Sequence, residues 1–307
     1  FLVLLLSVIV SCTRRPLTTA DYTVTVNITL DKDIVNYEVT KDPSLMRCIF
    51  YDSETGAFVT QAFLPPAGGD VSLVPSRTYD VIVYNFDTEA TWLEQENWFH
   101  TIYASTSLIP DSFKTKLRSR ASKADEEQIV YDPDHLFVGR LREVFIPSRS
   151  VDAPKVVLDI HCETVVESWV LYVSIVTGVE NIGSMAAVVT GLAGRNRISF
   201  NELSQDFVSV FFDNQTIDEN GTLTARFNTF GKNPDISEPQ MLSLVFTDVA
   251  GKGHVFNIDV SDQFIDNPEQ IIRVRTEIDI PEPISSGDGG FVPEVDEWDE
   301  INTDIVI

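Results

Sequence analysis

Nine consecutive residues alternate without a break. Tyr22, Val24, Val26, Ile28 and Leu30 fall on one side, and Thr23, Thr25, Asn27 and Thr29 on the other. A period of two puts every second side chain on one face, so this run reads as a strand with one buried face; a helix repeats at 3.6. The same signature recurs along the chain. Candidate strands are Arg47 to Tyr51, Val71 to Val74 and Tyr79 to Phe86, with a strand pair or one bent strand over Leu136 to Ile146. After a polar piece from Ser148 to Pro154 the pattern restarts. Val156, Leu158, Ile160 and Cys162 face one way, and Asp159, His161 and Glu163 the other. Further runs cover Trp169 to Val176, Ile198 to Phe200, Phe207 to Phe212, Leu223 to Phe227, Met241 to Phe246, Val255 to Val260 and Ile271 to Ile280. Asp218-Glu219-Asn220-Gly221 and Asp248 to Gly253 read as hairpin turns. Many short strands separated by turns predict an all-β chain of sandwiches.

The chain has 307 residues, enough for about two domains. The polar break suggests domains at 22–150 and 151–280. The formal net charge is −25, which excludes a polyanionic partner such as nucleic acid. Ser105 to Gln128 lacks alternation and concentrates Lys114, Lys116, Arg118, Arg120 and Lys123. It reads as an exposed loop, with a docking patch or protease site as the alternative.

Residues 1–11 read as the end of a secretion signal. Phe1 to Val10 is apolar except for Ser7, too short to span a bilayer, which takes about 20 residues. Ile9-Val10-Ser11-Cys12 then resembles a lipobox, in which a small residue precedes the cut and the Cys12 thiol receives a diacylglycerol. Several acyl chains on one residue hold a protein stably to a membrane. Residues 12–21 would be anchor and tether, with the outer membrane as the expected location.

No catalytic or cofactor signature is present. There is no nucleophile elbow, zinc-protease helix, phosphate loop or dinucleotide fingerprint. The expectation is a non-enzymatic protein with no metal or cofactor. His100, His135, His161 and His254 are scattered, and the pairs Asp31/Asp33 and Asp132/Asp134 read as turn chemistry, since neither continues into a calcium loop. Cys48 and Cys162 read as two separate buried thiols, with pairing in an oxidising envelope as the alternative. Trp92 and Trp98 flank Glu94, Gln95, Glu96 and Asn97. That arrangement suits a glycan platform, or two loop aromatics without a ligand.

Several segments together resemble a known group. They are the lipobox, Tyr84-Asn85-Phe86-Asp87-Thr88-Glu89, Pro133-Asp134-His135-Leu136-Phe137, Gly178-Val179-Glu180-Asn181, Thr190-Gly191-Leu192-Ala193-Gly194, and Gly289-Gly290-Phe291-Val292-Pro293-Glu294-Val295-Asp296-Glu297-Trp298. The chain is similar to Bacteroidota lipoproteins of unassigned function, themselves akin to the fimbrillin superfamily of fimbrial subunits, tips and anchors. The resemblance implies two tandem transthyretin-like (Greek-key) β-sandwich domains, a lipidated precursor, and other fimbrial subunits as partners. Shaft subunits of that superfamily are cut after an Arg near the N-terminus. Arg15-Pro16 is a poor site for such a protease, which favours an anchor or accessory role.

Residues 281–307 read as a linker followed by a strand. Pro281, Pro283, Gly287, Gly289, Gly290 and Pro293 form a leash. Val295, Trp298, Ile301, Ile305 and Ile307 then recur among acids. Such an end completes a sheet by strand addition, either a neighbour's or its own.

Overall fold

The computed structural model describes residues 22–37, 42–110, 127–148, 155–235 and 237–283. All regular structure among them is strand, apart from three short 3₁₀ turns at Phe99–Thr101, Val179–Asn181 and Ser261–Phe264. The all-β class and the two sandwiches expected from the sequence are observed. The signal segment, Cys12, Lys114 to Lys123, and Val295, Trp298, Ile301, Ile305 and Ile307 lie outside the described residues.

The first sandwich is one seven-stranded sheet. Its spatial order is Phe58–Leu64, Met46–Asp52, Arg77–Asn85, Phe137–Ile146, Val157–Thr164, Tyr22–Leu30 and Gly68–Leu73. Its two outermost strands are joined through residues 65–67. They approach so closely that a Cβ on Gly69 would lie 3.2 Å from Leu64 Cδ2. The sheet thus curls around a core of Val24, Val26, Phe50, Val81, Val83, Leu158 and Ile160. Alternation dictates this face: Tyr22, Val24, Val26 and Ile28 are buried while Thr23, Asn27 and Thr29 are exposed. Met46–Asp52 and Arg77–Asn85 are apolar almost continuously, because both their faces are covered. Cys48 and Phe50 point into the first core, Ile49 and Tyr51 into another. Leu136 to Ile146 resolves into one strand. It is bulged opposite Tyr79 to Val81, with Glu143 at φ 55°.

The second sandwich packs two sheets. One contains Thr216–Ile217, Leu223–Thr229, Glu167–Thr177 and Ile271–Asp279. The other runs Gly253–Asp259, Met241–Asp248, Ile182–Ala193, Phe207–Phe212 and Gln128–Tyr131. Leu171, Val173, Val189, Leu192, Phe227, Leu244 and Ile272 fill the space between them. Both expected turns close hairpins here. Asp218 and Asp248 each accept two backbone N–H groups, and Gly221 and Gly251 take positive φ.

The boundary expected at 150/151 does not coincide with the sheets. Val157–Thr164 pairs with Tyr22–Leu30 and Phe137–Ile146 in the first sheet. Gln128–Tyr131, from the first half of the chain, pairs parallel with Phe207–Phe212 in the second sandwich. A further sheet joins Thr91–Glu94 and Tyr103–Thr106 to Arg195–Arg197 and Glu202–Leu203. The chain changes sandwich at Val165 and Val166, both buried. Around them a third core mixes Ile49, Tyr84, Phe99, Ile102 and Leu136 with Ala193, Ile198 and Phe230. Ile198 to Phe200, expected as a strand, is a turn that delivers Ile198 to this core. Alternation reveals that a segment is a strand; it carries no record of which distant strand completes its hydrogen bonds.

Candidate functional site

Arg47 and Tyr84 sit opposite each other on neighbouring strands. Arg47 donates from Nε to Gln61 Oε1 at 2.8 Å and from Nη1 to Tyr84 Oη at 2.7 Å and Glu96 Oε1 at 2.5 Å. The Tyr84 hydroxyl donates in turn to Glu96 Oε1 at 2.6 Å, and Tyr51 donates to the Glu96 carbonyl. Burial, and then the hydrogen bond to Glu96, hold the Tyr84 pKa above its ordinary value, so the phenol keeps its proton. Aromatic rings surround this neutralised pair. The Arg47 guanidinium lies 5.3 Å from the Phe86 ring centre and 5.9 Å from that of Phe63. Phe63, Phe86 and Trp92 remain roughly half exposed, at 48%, 47% and 57%. Phe86 and Trp92 border an open cleft of about 360 Å³ with Arg47, Tyr84 and Glu96, and Phe63 packs beside Phe86 outside its lining. Rings at the rim with a satisfied charge pair at the base suit a planar or pyranose-like ligand.

The two sequence-predicted tryptophans separate. Trp92, on the Thr91–Glu94 strand, lines this cleft. Trp98 is also exposed, at 52%, yet it belongs to the turn bridged to Ala57 and is absent from the lining. Phe63, Phe86 and Arg47 were not singled out from sequence as a ligand site. Phe86 lies in the Tyr84–Glu89 segment; Phe63 and Arg47 carry no local signal.

A second cleft, of about 390 Å³, opens where the sandwiches meet. Asp134 Oδ2 accepts the N–H groups of Glu89, Ala90 and Thr91 at 2.8, 2.6 and 3.1 Å, fixing the loop that carries Phe86 towards Trp92. Asn85 donates to the His135 carbonyl and accepts from the Phe137 N–H. The Tyr84–Glu89 and Pro133–Phe137 segments, which carry the family resemblance, are therefore bonded to each other. His135 extends the network into the second sandwich. Asn228 donates Nδ2–H to the Pro133 carbonyl, which leaves its Oδ1 to accept the Ser168 hydroxyl at 2.8 Å. Ser168 Oγ then accepts from His135 Nε2 at 2.7 Å, and Nδ1 faces Thr164 Oγ1 at 3.0 Å. Burial lowers the His135 pKa to about 4, so the ring is neutral. Burial raises the Asp132 carboxyl to about 6. Asn36, at φ 56°, spans the same junction, donating to the Glu269 and Gln270 carbonyls at 2.8 and 3.1 Å.

The remaining candidates take structural roles. Asp31 accepts the Asp33 N–H, as expected of a turn. Among the described residues no group of three or more His, Cys, Asp or Glu side chains is placed to hold a metal ion. Cys48 and Cys162 are buried free thiols, and burial pushes Cys162 up to about 12. His100 stacks on Phe200, His161 is exposed, and His254 is buried against Asp248.

A protein-family model described as "Domain of unknown function (DUF5119)" matches residues 11–213. The chain belongs to the DUF5119 family. A Bacteroides ovatus protein named as a candidate fimbrium anchoring subunit, Fim4B, is 30% identical over 196 residues. That alignment covers 63% of this chain and 54% of the relative, so the chain spans about half the length of the curated relative it matches. Two solved structures share the fold. A candidate adhesin from Bacteroides ovatus superposes with a TM-score of 0.64 at 22% identity, covering 89% of this chain and 97% of that one. The fimbrial anchor protein Mfa2 of Porphyromonas gingivalis does so with a TM-score of 0.52 at 11% identity, covering 83% and 90%. The DUF5119 match begins at residue 11 and so includes Cys12.

Proposed function

We propose that this DUF5119 protein is a lipid-anchored structural subunit of a fimbrial assembly at the outer membrane, in an anchor or accessory position. The observation that carries the reading is the 30% identity to a candidate fimbrium anchoring subunit. The lipobox at Ile9 to Cys12 supports it, since an anchor needs a membrane attachment. In this reading Cys12 carries the lipid, the protein does no catalysis, and Val295, Trp298, Ile301, Ile305 and Ile307 add a strand to a neighbouring subunit. Two experiments test it in the native host. Cys12→Ala is expected to release the protein from membranes, and continued attachment refutes the lipid anchor. Photo-crosslinking from position 298 is expected to yield a larger band containing another subunit; a purely intramolecular product refutes strand donation.

The half-exposed rings of Phe86 and Trp92 favour a second reading, capture of a glycan or peptide at the Arg47 cleft. Glycan-array binding that Trp92→Ala abolishes would support it, and binding that survives the substitution would place any ligand elsewhere.

A further inference from the structure

We propose that the fold is a mechanical clamp in which tension applied at the two ends of the described body is borne in shear by its first and last strands. The clamp is a property of the chain's own strand pairing. Its use in the cell rests on the anchor reading above, because a subunit tethered at one end and joined to an appendage at the other is pulled along its length.

The pairing register carries the argument. Tyr22–Leu30 runs parallel to Val157–Thr164, with Thr25 opposite Val157 and Leu30 opposite Cys162. Its C-terminal end therefore lies beside the junction at Val165 and Val166, and Tyr22 lies at the far end of the first sandwich. The second sandwich repeats the arrangement. Ile271–Asp279 runs parallel to Glu167–Thr177, with Ile271 opposite Val170 next to the junction and Asp279 opposite Thr177 away from it. The two partner strands are consecutive in the chain, separated only by Val165 and Val166. Pulling Tyr22 and Ile280 apart drags the first and last strands each along its own axis. The load passes through one continuous covalent segment, 157–177, and does not have to cross the packed junction.

Ladder hydrogen bonds run across the strand axis, so a sliding strand strains many of them together, whereas a peeled strand breaks them one at a time. Both strands are also gripped by side chains. Thr25 Oγ1 donates to Asp70 at 2.6 Å and Asn27 donates to Asp159 at 2.8 Å. Tyr22–Leu30 is held on its other side by Gly68–Leu73. At the far end Thr177 Oγ1 donates to Asp279 at 2.6 Å, and Asn181 donates to the Ile280 carbonyl at 3.0 Å. Gly178 lets the backbone come so close that a Cβ would sit 1.9 Å from the Ile280 oxygen. Among the described residues no strand pairs with the outer edge of the last strand, and there the Gln263 amide binds both backbone groups of Arg273, at 2.7 and 3.1 Å.

The test is single-molecule force spectroscopy on the full chain, with DNA handles clicked onto azide-bearing residues. Handles at Thr23 and Glu282 load the proposed shear geometry. Handles at Thr23 and Ser72, which face each other across antiparallel strands, open the same strand like a zipper. Forced unfolding reports the unfolding barrier along the pulling direction. The expected result is a rupture force several-fold higher for the 23/282 pair than for the 23/72 pair. Equal forces, or a weaker 23/282 pair, overturn the clamp. Peptide tags on the two chain ends load the same two strands without internal substitution and must reproduce the higher force. A strong clamp in a protein that Cys12→Ala fails to release from membranes would refute the anchor reading alone.

Discussion

Ile198→Ala tests whether the two sandwiches unfold as one unit. Ile198 belongs to the second half of the chain, is 0% exposed, and packs with Tyr84, Leu136 and Val138 of the first half. The substitution removes three carbons. At about 0.8 kcal/mol per buried CH₂ the transfer loss is roughly 2.5 kcal/mol. The third core is walled by strands of two sandwiches and cannot collapse freely, so the residual cavity brings the total to about 3–4 kcal/mol. The assay is native-state hydrogen exchange, comparing the slowest amides of Tyr22–Leu30 with those of Glu167–Thr177. Because Gln128–Tyr131 and Tyr103–Thr106 pair with strands from the second half, both sets are expected to lose the same protection free energy. Loss confined to Glu167–Thr177, with Tyr22–Leu30 unchanged, would refute the interlock and restore two independent domains.

Three further outcomes follow from the junction. Asp134→Ala strands three loop amides and is expected to cost about 3–4 kcal/mol in urea denaturation, since bonds to a carboxylate contribute ~1.5–3 kcal/mol each and water recovers part; Asp134→Asn, which keeps an acceptor, should cost about half. Asn36→Ala should cost about 3 kcal/mol, two lost hydrogen bonds at ~1 kcal/mol each plus ~1 kcal/mol for placing alanine at positive φ; Asn36→Gly should recover the last part but not the first two. The pH profile separates Asp132 and His135. His135 is lowered from 6.5 to about 4 on folding, so the unfolded state takes the proton first and stability falls as pH drops from about 6.5 to 4. Asp132 is raised from 3.8 to about 6, so its folded form takes the proton first and stability rises over nearly the same interval. The two offset each other, and Asp132→Asn is expected to expose an acid loss of about 3–4 kcal/mol, from about 2.5 pKa units at 1.36 kcal/mol each; a flat profile in that variant would contradict the buried neutral histidine.

The individual strands were legible because burial of one face imposes a period of two, as in Tyr22–Leu30 and Val157–Thr164. Turns were legible where a residue type meets a backbone need, as at Gly221 and Gly251. Ile182–Ala193 escaped, although it is the longest strand among the described residues. Its C-terminal run from Ala187 to Ala193 is buried on both faces and loses alternation. Trp92 was legible as an exposed ring. The residues that share its cleft, Phe86, Arg47 and Glu96, arrive from separate strands and loops.

The all-β class was legible from sequence alone, and the lipobox at Cys12 and the lack of a polyanionic partner stand as expectations from it, because each follows from local pattern or summed charge. Only the tertiary structure decided where one sandwich ends, which strands are exchanged across the junction, and which rings share a cleft. Those depend on hydrogen-bond pairing between segments a hundred residues apart. Backbone donors and acceptors are the same in every residue but proline, so no sequence pattern names their partner.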